Sequence, residues 1–297
     1  MDIKVVMLGT SGSLPTKSRG LPSAAVIYEG EVVLFDCGEG TQMQMLRYGV
    51  NPARIKSIFI SHAHGDHIIG IAGLVRSMAL NGRKNELMIF VPKGYESVIK
   101  SLLSFDSAML GYPIAVKGIG AGEAYRTKWF SVSSFRLNHT IPTLGYVLKE
   151  HDRRKFLKDR CTRLGMKGIM YSELEKRGKI TIGKKSVRIE DVTVPRAGKK
   201  VVYATDTRPV AATANAAEGA ELLIHESSYA DREKALAVER KHSTAVEVAN
   251  LAKKAKVKAL LLTHISARYS DAGQLEQEAR KIFRNSRAAT DGYIITV

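Results

Sequence analysis

A run of six residues at positions 62–67, His-Ala-His-Gly-Asp-His, constrains this chain more than any other feature of its sequence. The run follows an apolar strand candidate at 55–60 and precedes apolar residues at helical spacing at 68–79. Burying three imidazoles and a carboxylate without partners would cost free energy, whereas these groups are good ligands for zinc and related divalent ions. The run therefore predicts a metal site at the end of a strand.

The order of residues within the run predicts two neighbouring sites. Alternate side chains of a tight loop point to one side, so His62 and His64 can share one ion. Asp66 and His67 then face an adjacent position, and Gly65 lets the backbone turn without a Cβ clash. Two ions need more ligands than this loop offers.

Further ligand candidates follow apolar strand candidates later in the chain, at His139, Asp206 and His264. Short apolar strands alternate with helical stretches, which predicts an α/β fold, and sites in open α/β sheets form outside the strand ends. We expect Asp206 to bridge two ions, because one carboxylate can hold cations about 3.5–4 Å apart. The expected first site is His62, His64 and His139, and the expected second site is Asp66, His67 and His264.

His242 is a candidate catalytic residue at the start of a helical stretch, 244–255. Backbone amides at a helix start can meet a phosphate, and a histidine there can donate a proton to a leaving oxygen. Glu226 could orient the imidazole through a carboxylate–imidazole hydrogen bond. The alternative is a histidine that only caps or packs the helix.

The charge of the chain favours a polyanionic partner, since 46 Lys and Arg face 29 Asp and Glu, for a net charge of +17. From Lys149 to Lys200 the chain carries 17 basic and 7 acidic residues, more than half of the whole excess. This segment is predicted to be an inserted basic arm, the alternative being a solvated loop.

Other bulk features limit where the chain acts. The sequence contains no run of 18 apolar residues, so it predicts no membrane span. The N-terminus lacks the features of a secretory signal. The two cysteines, Cys37 and Cys161, are far apart and in no metal-like spacing. They favour a reducing, cytoplasmic setting without a disulfide framework.

The histidine run with the downstream His139, Asp206 and His264 resembles the metallo-β-lactamase superfamily. That resemblance implies an αββα sandwich with a binuclear metal centre at one edge. The superfamily acts on lactams, thioesters and phosphodiesters, so these ligands imply the style of the reaction and leave the substrate open.

Several further motifs, from about residue 3 to about residue 270, resemble the ribonuclease Z family. They are Leu-Gly-Thr-Ser-Gly at 8–12, Tyr-Ala-Thr-Asp-Thr-Arg at 203–208, His-Glu at 225–226, His-Ser-Thr-Ala at 242–245, and Thr-His-Ile-Ser-x-Arg-Tyr at 263–269. The resemblance supports catalytic roles for His242 and Glu226. It implies cleavage of precursor tRNA after the discriminator base, leaving a 3′-hydroxyl on the tRNA and a 5′-phosphate on the trailer.

The same resemblance implies two zinc ions per subunit, with manganese as an alternative, and a homodimer. It also implies an arm that clamps the tRNA elbow, although residues 164–168, Leu-Gly-Met-Lys-Gly, lack the Gly-Pro pair found in many family arms. Individual contacts of the arm with tRNA are not assigned from the sequence.

The sequence therefore predicts one metallo-β-lactamase-fold domain over 1–297 with the basic arm at 149–200. In the expected mechanism, water activated by the two cations attacks phosphorus, Asp66 helps to take its proton, and His242, oriented by Glu226, assists the leaving oxygen. Two rival functions stay open. One is an enzyme of the same fold that acts on a small substrate, for which a basic arm has no use. The other is a non-catalytic RNA-binding protein, against which the complete ligand set argues.

Overall fold

The computed structural model of the chain describes residues 2–104 and 110–297. These residues form two compact units, one from Met1–Lys149 with Lys199–Val297 and the other from Glu150–Gly198. No helix in the described ranges is long and apolar enough to cross a membrane.

The strands are numbered along the chain. They are β1 (Lys4–Gly9), β2 (Ser11–Gly12), β3 (Ser23–Tyr28), β4 (Glu31–Phe35), β5 (Ile55–Phe59), β6 (Leu87–Pro92), β7 (Ile114–Ile119), β8 (Gly122–Arg126), β9 (Phe130–Arg136), β10 (Leu144–Glu150), β11 (Arg153–Phe156), β12 (Lys179–Ile182), β13 (Lys185–Arg188), β14 (Thr193–Arg196), β15 (Lys200–Ala204), β16 (Leu222–Glu226), β17 (Leu260–Thr263), β18 (Ile265–Ser266), β19 (Ser286–Ala288) and β20 (Ile294–Thr296).

The helices are numbered in the same way. They are α1 (Thr41–Arg47), α2 (Gly65–Ile68), α3 (Gly70–Leu80), α4 (Glu96–Ser104), α5 (Lys158–Arg163), α6 (Ile169–Arg177), α7 (Ile189–Val192), α8 (Ala211–Ala217), α9 (Lys234–Glu239), α10 (Ala245–Lys254) and α11 (Gly273–Arg280). The residues at helical spacing at 68–79 thus lie at the end of α2 and in α3, which ends two residues before Gly82, whose φ is 77°.

The larger unit contains two mixed sheets, each of seven strands in the part of the chain that the structure describes. The first sheet has the order β20-β1-β3-β4-β5-β6-β7, and its strands β4 to β7 are parallel. The second has the order β19-β17-β16-β15-β10-β9-β8, with β15, β16, β17 and β19 parallel. Parallel strands buried on both faces explain the continuous apolar runs in the sequence.

The alternation of side chains along β4 shows how the layers form. Val33 and Phe35 belong to the apolar cluster shared by strands of both sheets. Val32 and Leu34 point to the other face, into a cluster that includes residues of α1, α3 and α4. A third cluster packs residues of α8, α10 and α11 against the second sheet. The layers are therefore helix, sheet, sheet and helix.

Aromatic side chains hold the two sheets together near the edge where the ligand candidates lie. The ring of Phe35 stacks on Tyr203 with centroids 5.3 Å apart and on Tyr146 at 5.6 Å. The hydroxyl of Tyr146 donates a hydrogen bond to the carbonyl of Ile60, which is 2.5 Å away and directly follows β5 of the first sheet. Buried aromatic pairs of this kind stabilise a core by about 0.5–1.5 kcal/mol beyond the area that they bury.

The smaller unit, Glu150–Gly198, has a core of its own. β11 pairs with β14, β12 pairs with β13, and α5, α6 and α7 complete the unit. Its buried apolar residues are Cys161, Met166, Leu174, Val187 and Val192. The unit therefore folds around a small cluster and leaves most of its basic side chains at the surface.

Candidate metal centre

The run at 62–67 folds as a strand end followed by a single helical turn. β5 ends at Phe59, and α2 begins directly after His64. α2 carries Asp66 and His67, and its turn brings the His67 ring to within 4.2 Å of the His62 ring, centroid to centroid. Local chain geometry alone thus gathers most of the run at one point.

Three polar residues that follow strands have left-handed backbone conformations. Asp36 follows β4 with a φ of 55°, Asp206 follows β15 with a φ of 50°, and His264 follows β17 with a φ of 53°. This region costs a non-glycine residue about 1 kcal/mol, and residues held in it cluster at functional sites. The conformation ends each strand and leaves its polar side chain at the edge of the sheet.

One group of possible ligand atoms comes from His62, His64, His139 and Asp206, with all atoms within 4.8 Å of one another. Nδ1 of His64 lies 2.9 Å from Nε2 of His62. Nε2 of His62 and Nε2 of His139 are each 3.7 Å from Oδ2 of Asp206. These are the residues predicted for the first site, together with the predicted bridging carboxylate.

The second group contains Asp66, His67 and His264. Nε2 of His67 is 3.5 Å from Oδ2 of Asp66, and Nε2 of His264 is 3.7 Å from the same oxygen. Oδ1 of Asp206 is 3.0 Å from Nε2 of His264 and 3.4 Å from Nε2 of His67. Asp206 therefore turns Oδ2 to the first group and Oδ1 to the second, which is the geometry of a bridging carboxylate.

The spacing of these atoms fits divalent ions. Tetrahedral zinc with bonds of about 2.0–2.1 Å holds neighbouring ligand atoms about 3.3 Å apart, and the contacts made by the two aspartates are 3.0–3.7 Å. Nε2 of His67 and Nε2 of His264 are buried and lack a hydrogen-bond partner among the described residues. Such an orphaned nitrogen is costly, and a bound cation removes that cost. The side chains present could thus hold two metal ions.

A carboxylate outside these groups, Asp36, orients two of the histidines. It accepts hydrogen bonds from Nδ1 of His67 at 2.8 Å, the hydroxyl of Ser61 at 2.9 Å and the hydroxyl of Tyr203 at 2.9 Å. The Ser61 hydroxyl also lies 2.9 Å from Nδ1 of His62. Such partners fix the tautomer in which Nε2 is the ligand. Asp36 thus acts on the ligand candidates of both groups.

Glu226 organises the other side of the centre. It lies in the last position of β16 and accepts hydrogen bonds from the Thr207 amide at 2.7 Å, the Ser228 hydroxyl at 2.7 Å and Nδ1 of His242 at 2.8 Å. The Ser228 hydroxyl also lies 3.0 Å from Nδ1 of His264. Pairing of β16 with β15 and β17 keeps the chain extended through Glu226.

His242 precedes α10 without using the helix terminus in the way predicted. The amide of Ala245 donates to the carbonyl of Tyr229, and the amide of Glu247 donates to the hydroxyl of the N-cap residue Thr244. These two amides are occupied within the protein and are therefore not free to bind a phosphate. The side chain of His242 instead lies beside both groups, with its ring 5.1 Å from that of His139 and 5.4 Å from that of His264.

Arg208 was not singled out in the sequence, although it ends one of the motifs. Its guanidinium donates to the carbonyl of His242 and forms a two-pronged ion pair with Glu247, with one contact at 2.9 Å. Its amide donates to the carbonyl of Asn138, the residue before His139. Arg208 thus ties together three loops that carry site residues. Ser61, Ser228 and Tyr203 were also missed, because serines and tyrosines are too common to stand out in a single sequence.

The charges of the centre keep its carboxylates ionised. Burial alone would raise the pKa of Asp206, but the charges of His264 and His67 hold it well below its usual range. Burial would likewise raise the pKa of Asp66, and the neighbouring imidazoles of His264 and His67 lower it instead. Both carboxylates are therefore in the ionised form that metal binding requires.

Glu226 and His242 form a buried ion pair. Burial opposes charge on each, but their mutual attraction and hydrogen bond lower the pKa of Glu226 to about 2 and raise the pKa of His242 to about 9. At neutral pH the imidazole is therefore protonated, with its Nδ1 hydrogen committed to Glu226. Its Nε2 hydrogen is the one available for transfer.

Known proteins resemble this chain over different lengths. A family model described as "Anti-Pycsar protein Apyc1" matches residues 3–151, a stretch that stops before Asp206, Glu226, His242 and His264. The curated ribonuclease Z of Methanosarcina mazei is 40% identical over 294 residues, which is 97% of this chain and 96% of the relative. The chain belongs to the ribonuclease Z family. Its predicted class, a hydrolytic enzyme of the ribonuclease Z type, is thereby confirmed.

Solved structures agree with this family and with the fold. The crystal structure of human tRNase Z, short form, matches with a TM-score of 0.73 at 25% identity, covering 98% of each chain. The metallo-beta-lactamase fold protein YhfI from Bacillus subtilis matches with a TM-score of 0.72 at 17% identity, covering 100% of this chain and 99% of that one. The predicted metallo-β-lactamase αββα fold is confirmed.

Proposed function

We propose that this ribonuclease Z family member removes 3′ trailers from precursor tRNA in the cytoplasm. It cuts after the discriminator base and leaves a 3′-hydroxyl on the tRNA and a 5′-phosphate on the trailer. The observation that carries the proposal is the pair of ligand groups that share Asp206, with the Glu226–His242 pair beside them. The two cysteines, Cys37 and Cys161, are both buried free thiols, which suits a reducing compartment.

We assign one ion to His62, His64, His139 and Asp206 and a second to Asp66, His67, His264 and Asp206. Zinc suits this set of imidazole and carboxylate ligands, and manganese is the alternative. When bound, such a pair supplies Lewis-acid activation of water and of the scissile phosphate.

The residues around the ions carry the proton transfers. His242 donates its Nε2 proton to the leaving 3′ oxygen, and Glu226 holds the ring through Nδ1, so that Nε2 alone faces the substrate. Asp66 accepts a hydrogen bond from the Ser13 amide at 3.0 Å, and its lowered pKa makes it a weak base. Its main role in this proposal is therefore that of a ligand that also orients the attacking water.

The basic arm would bind the body of the tRNA. Lysines and arginines that contact phosphates give affinity that depends on salt and little on sequence. Exposed basic residues of the smaller unit, such as Lys155, Lys167 and Lys184, are suited to such contacts. We also propose a homodimer, in which the arm of one subunit holds a tRNA that the other cleaves, and light scattering of the purified protein measures this directly.

The test of the function is cleavage of an end-labelled precursor tRNA with a 3′ trailer, in the presence of zinc or manganese, with the cut mapped to the nucleotide. We expect one cut after the discriminator base. His64→Ala should lower the rate at least 100-fold, because it removes a ligand from the first group. An exposed change of similar size, Asn51→Ala, is the matched control and should leave the rate unchanged.

A shortened variant tests the arm. Lys149 and Lys200 are neighbours across the β10–β15 pair, so residues 151–198 can be replaced by a two-residue Asn-Gly turn. This variant should keep hydrolysis of bis(p-nitrophenyl) phosphate and lose at least tenfold in kcat/KM for precursor tRNA. If wild-type protein that holds metal hydrolyses the small diester but makes no cut in precursor tRNA, the proposal is wrong and a small-substrate enzyme takes its place.

A further inference from the structure

A pocket of about 160 Å³ is lined by His242 and His264. Its walls include residues 12–14, residues 266–268, Tyr229 and Arg240. Sites that enclose whole small molecules usually measure about 300–1,000 Å³. This pocket is therefore sized for one segment of a longer molecule.

Two guanidinium groups without carboxylate partners line the pocket. Cζ of Arg268 lies 4.9 Å from the centre of the Tyr229 ring, and its Nε donates to the hydroxyl of Ser266 at 3.2 Å. Arg240 lies against the Tyr229 hydroxyl as a hydrogen-bond partner. In the described parts of the chain, neither exposed arginine has a carboxylate in direct contact, and the charge of Glu233 acts on Arg268 only from farther away. Tyr229 itself is only 4% exposed, so it is a fixed support for both.

The opposite wall is fixed to the metal centre. A Cβ at Gly12 would lie 2.7 Å from Nδ1 and Cε1 of His264, so only glycine allows this close approach. The next residue, Ser13, has a φ of 62° and donates its amide to Oδ2 of Asp66. Gly12 and Ser13 are therefore held at a fixed distance from the ligand candidates His264 and Asp66. The positive charge of the two arginines is likewise held close to the candidate metal centre.

The chemistry of the pocket favours a phosphate. Arginine presents a rigid fork of donors that matches a phosphate, and stacking on an aromatic ring fixes the plane of that fork. Since no carboxylate is in direct contact with either guanidinium, Arg240 and Arg268 are both available to an anion that enters the pocket. The anion that accompanies a scissile phosphodiester in RNA is the neighbouring internucleotide phosphate.

We propose that this pocket, the arginine pocket, binds the internucleotide phosphate immediately 5′ of the scissile one. The inference rests on the proposed function, in which His242 protonates the leaving 3′ oxygen. Since the pocket lies next to His242, it takes the strand on the leaving side of the cut, the 3′ end of the tRNA product. A small diester has no second phosphate and gains nothing from the pocket, so the pocket helps the enzyme to select a polynucleotide.

Binding of the product tests the pocket without any cleavage. A tRNA that ends at the discriminator base is titrated against wild-type protein over a range of salt concentrations. Arg268→Ala should weaken binding about tenfold and reduce the slope of log affinity against log salt by about 0.7, the value for one contact with a single-stranded phosphate. Arg284→Ala, which removes the same charge from an exposed position outside the pocket, should leave the slope unchanged. An unchanged slope in Arg268→Ala would overturn the proposal.

A chemical cycle identifies the phosphate. Precursor tRNA is made with one neutral methylphosphonate linkage, either one position 5′ or one position 3′ of the scissile phosphate. The 5′ methylphosphonate should lower kcat/KM about tenfold for the wild type and have little further effect on Arg268→Ala. The loss of kcat/KM caused by the 3′ methylphosphonate should instead multiply with the loss caused by Arg268→Ala. Multiplying losses for the 5′ change would place the contact elsewhere and overturn the proposal.

The two experiments separate this proposal from the proposed function. If the wild type binds the product with the Arg268-dependent slope and yet makes no cut, the function fails and the pocket stands. The opposite result is that precursor tRNA is cut after the discriminator base, while Arg268→Ala changes neither the salt slope of product binding nor the response to the 5′ methylphosphonate. The proposed pocket then fails and the proposed function stands.

Discussion

Each of the two sheets supports the candidate metal centre with a relay, a set of hydrogen-bonded side chains behind a histidine. The two relays are similar but differ in the other groups that their carboxylates bind. Behind the first sheet, Ser61 lies between His62 and Asp36, with contacts of 2.9 Å to each. Behind the second, Ser228 lies 3.0 Å from His264 and 2.7 Å from a carboxylate, that of Glu226. In each relay a serine hydroxyl joins a histidine Nδ1 to a buried carboxylate.

The difference lies in what else each carboxylate holds. Asp36 also binds His67 and Tyr203, both fully enclosed, so every group in its relay is fixed within the protein. Glu226 also binds His242, which is 9% exposed and is the acid of the proposed function. The comparison indicates that Asp36 only positions ligands, while Glu226 positions one ligand and also sets the protonation of an acid.

Asp36→Asn should have the largest effect on metal binding. Asparagine keeps the shape and tolerates the left-handed backbone at this position, so the change removes mainly the charge. Loss of a partner behind metal-binding histidines lowers metal affinity about 10–100-fold, and breaking the buried pair with His67 lowers the free energy of unfolding by about 3 kcal/mol. Competition with a zinc chelator and urea unfolding measure the two effects. Metal affinity equal to that of the wild type would remove Asp36 from the account.

Glu226→Gln should leave metal affinity within about tenfold and change the pH dependence instead. The carboxylate raises the pKa of His242 to about 9, so the protonated acid persists below that pH and is lost as pH rises through it. Without the negative charge the pKa of His242 falls, and the alkaline limb of the kcat profile moves to lower pH. An exposed change, Glu239→Gln, should leave the profile in place. An unmoved limb in Glu226→Gln with normal folding would contradict the role of the pair.

Arg208→Lys should have the smallest effect on activity. Arg208 acts on the relay of Glu226 only through the loop that carries His242. Lysine keeps the charge and loses the two-pronged contact with Glu247. We expect a threefold to tenfold loss in kcat with little change in KM or metal content, because the loop that carries His242 is held less tightly. Arg280→Lys, at an exposed ion pair with Glu276, is the control and should retain full kcat.

The sequence predicted the sheets, the basic segment and the gathering of ligand candidates because those signals are local. An apolar strand followed by a histidine or aspartate can be read at one place in the chain, and the run at 62–67 sets most of its own geometry. The position of Asp206 between the two groups could also be anticipated, whereas its bridging of two ions stays a prediction.

The relays could not be predicted, because their members are far apart in sequence. Tyr203 and Asp36 are separated by 167 positions, and Ser228 and His264 by 36. The occupation of the Ala245 amide at the start of α10 could not be predicted for a similar reason, since its partner is the carbonyl of Tyr229 in a distant loop. Tertiary contacts of this kind leave no periodic pattern in one sequence.

The central claim is that strand ends of both sheets hold two ions through one shared carboxylate. Anomalous scattering at the zinc edge from crystals of the zinc-loaded protein tests it directly. The account predicts two peaks per subunit, each about 2.0–2.2 Å from an oxygen of Asp206, one among His62, His64 and His139 and the other among Asp66, His67 and His264. A single peak, or two peaks that do not share Asp206, would contradict it.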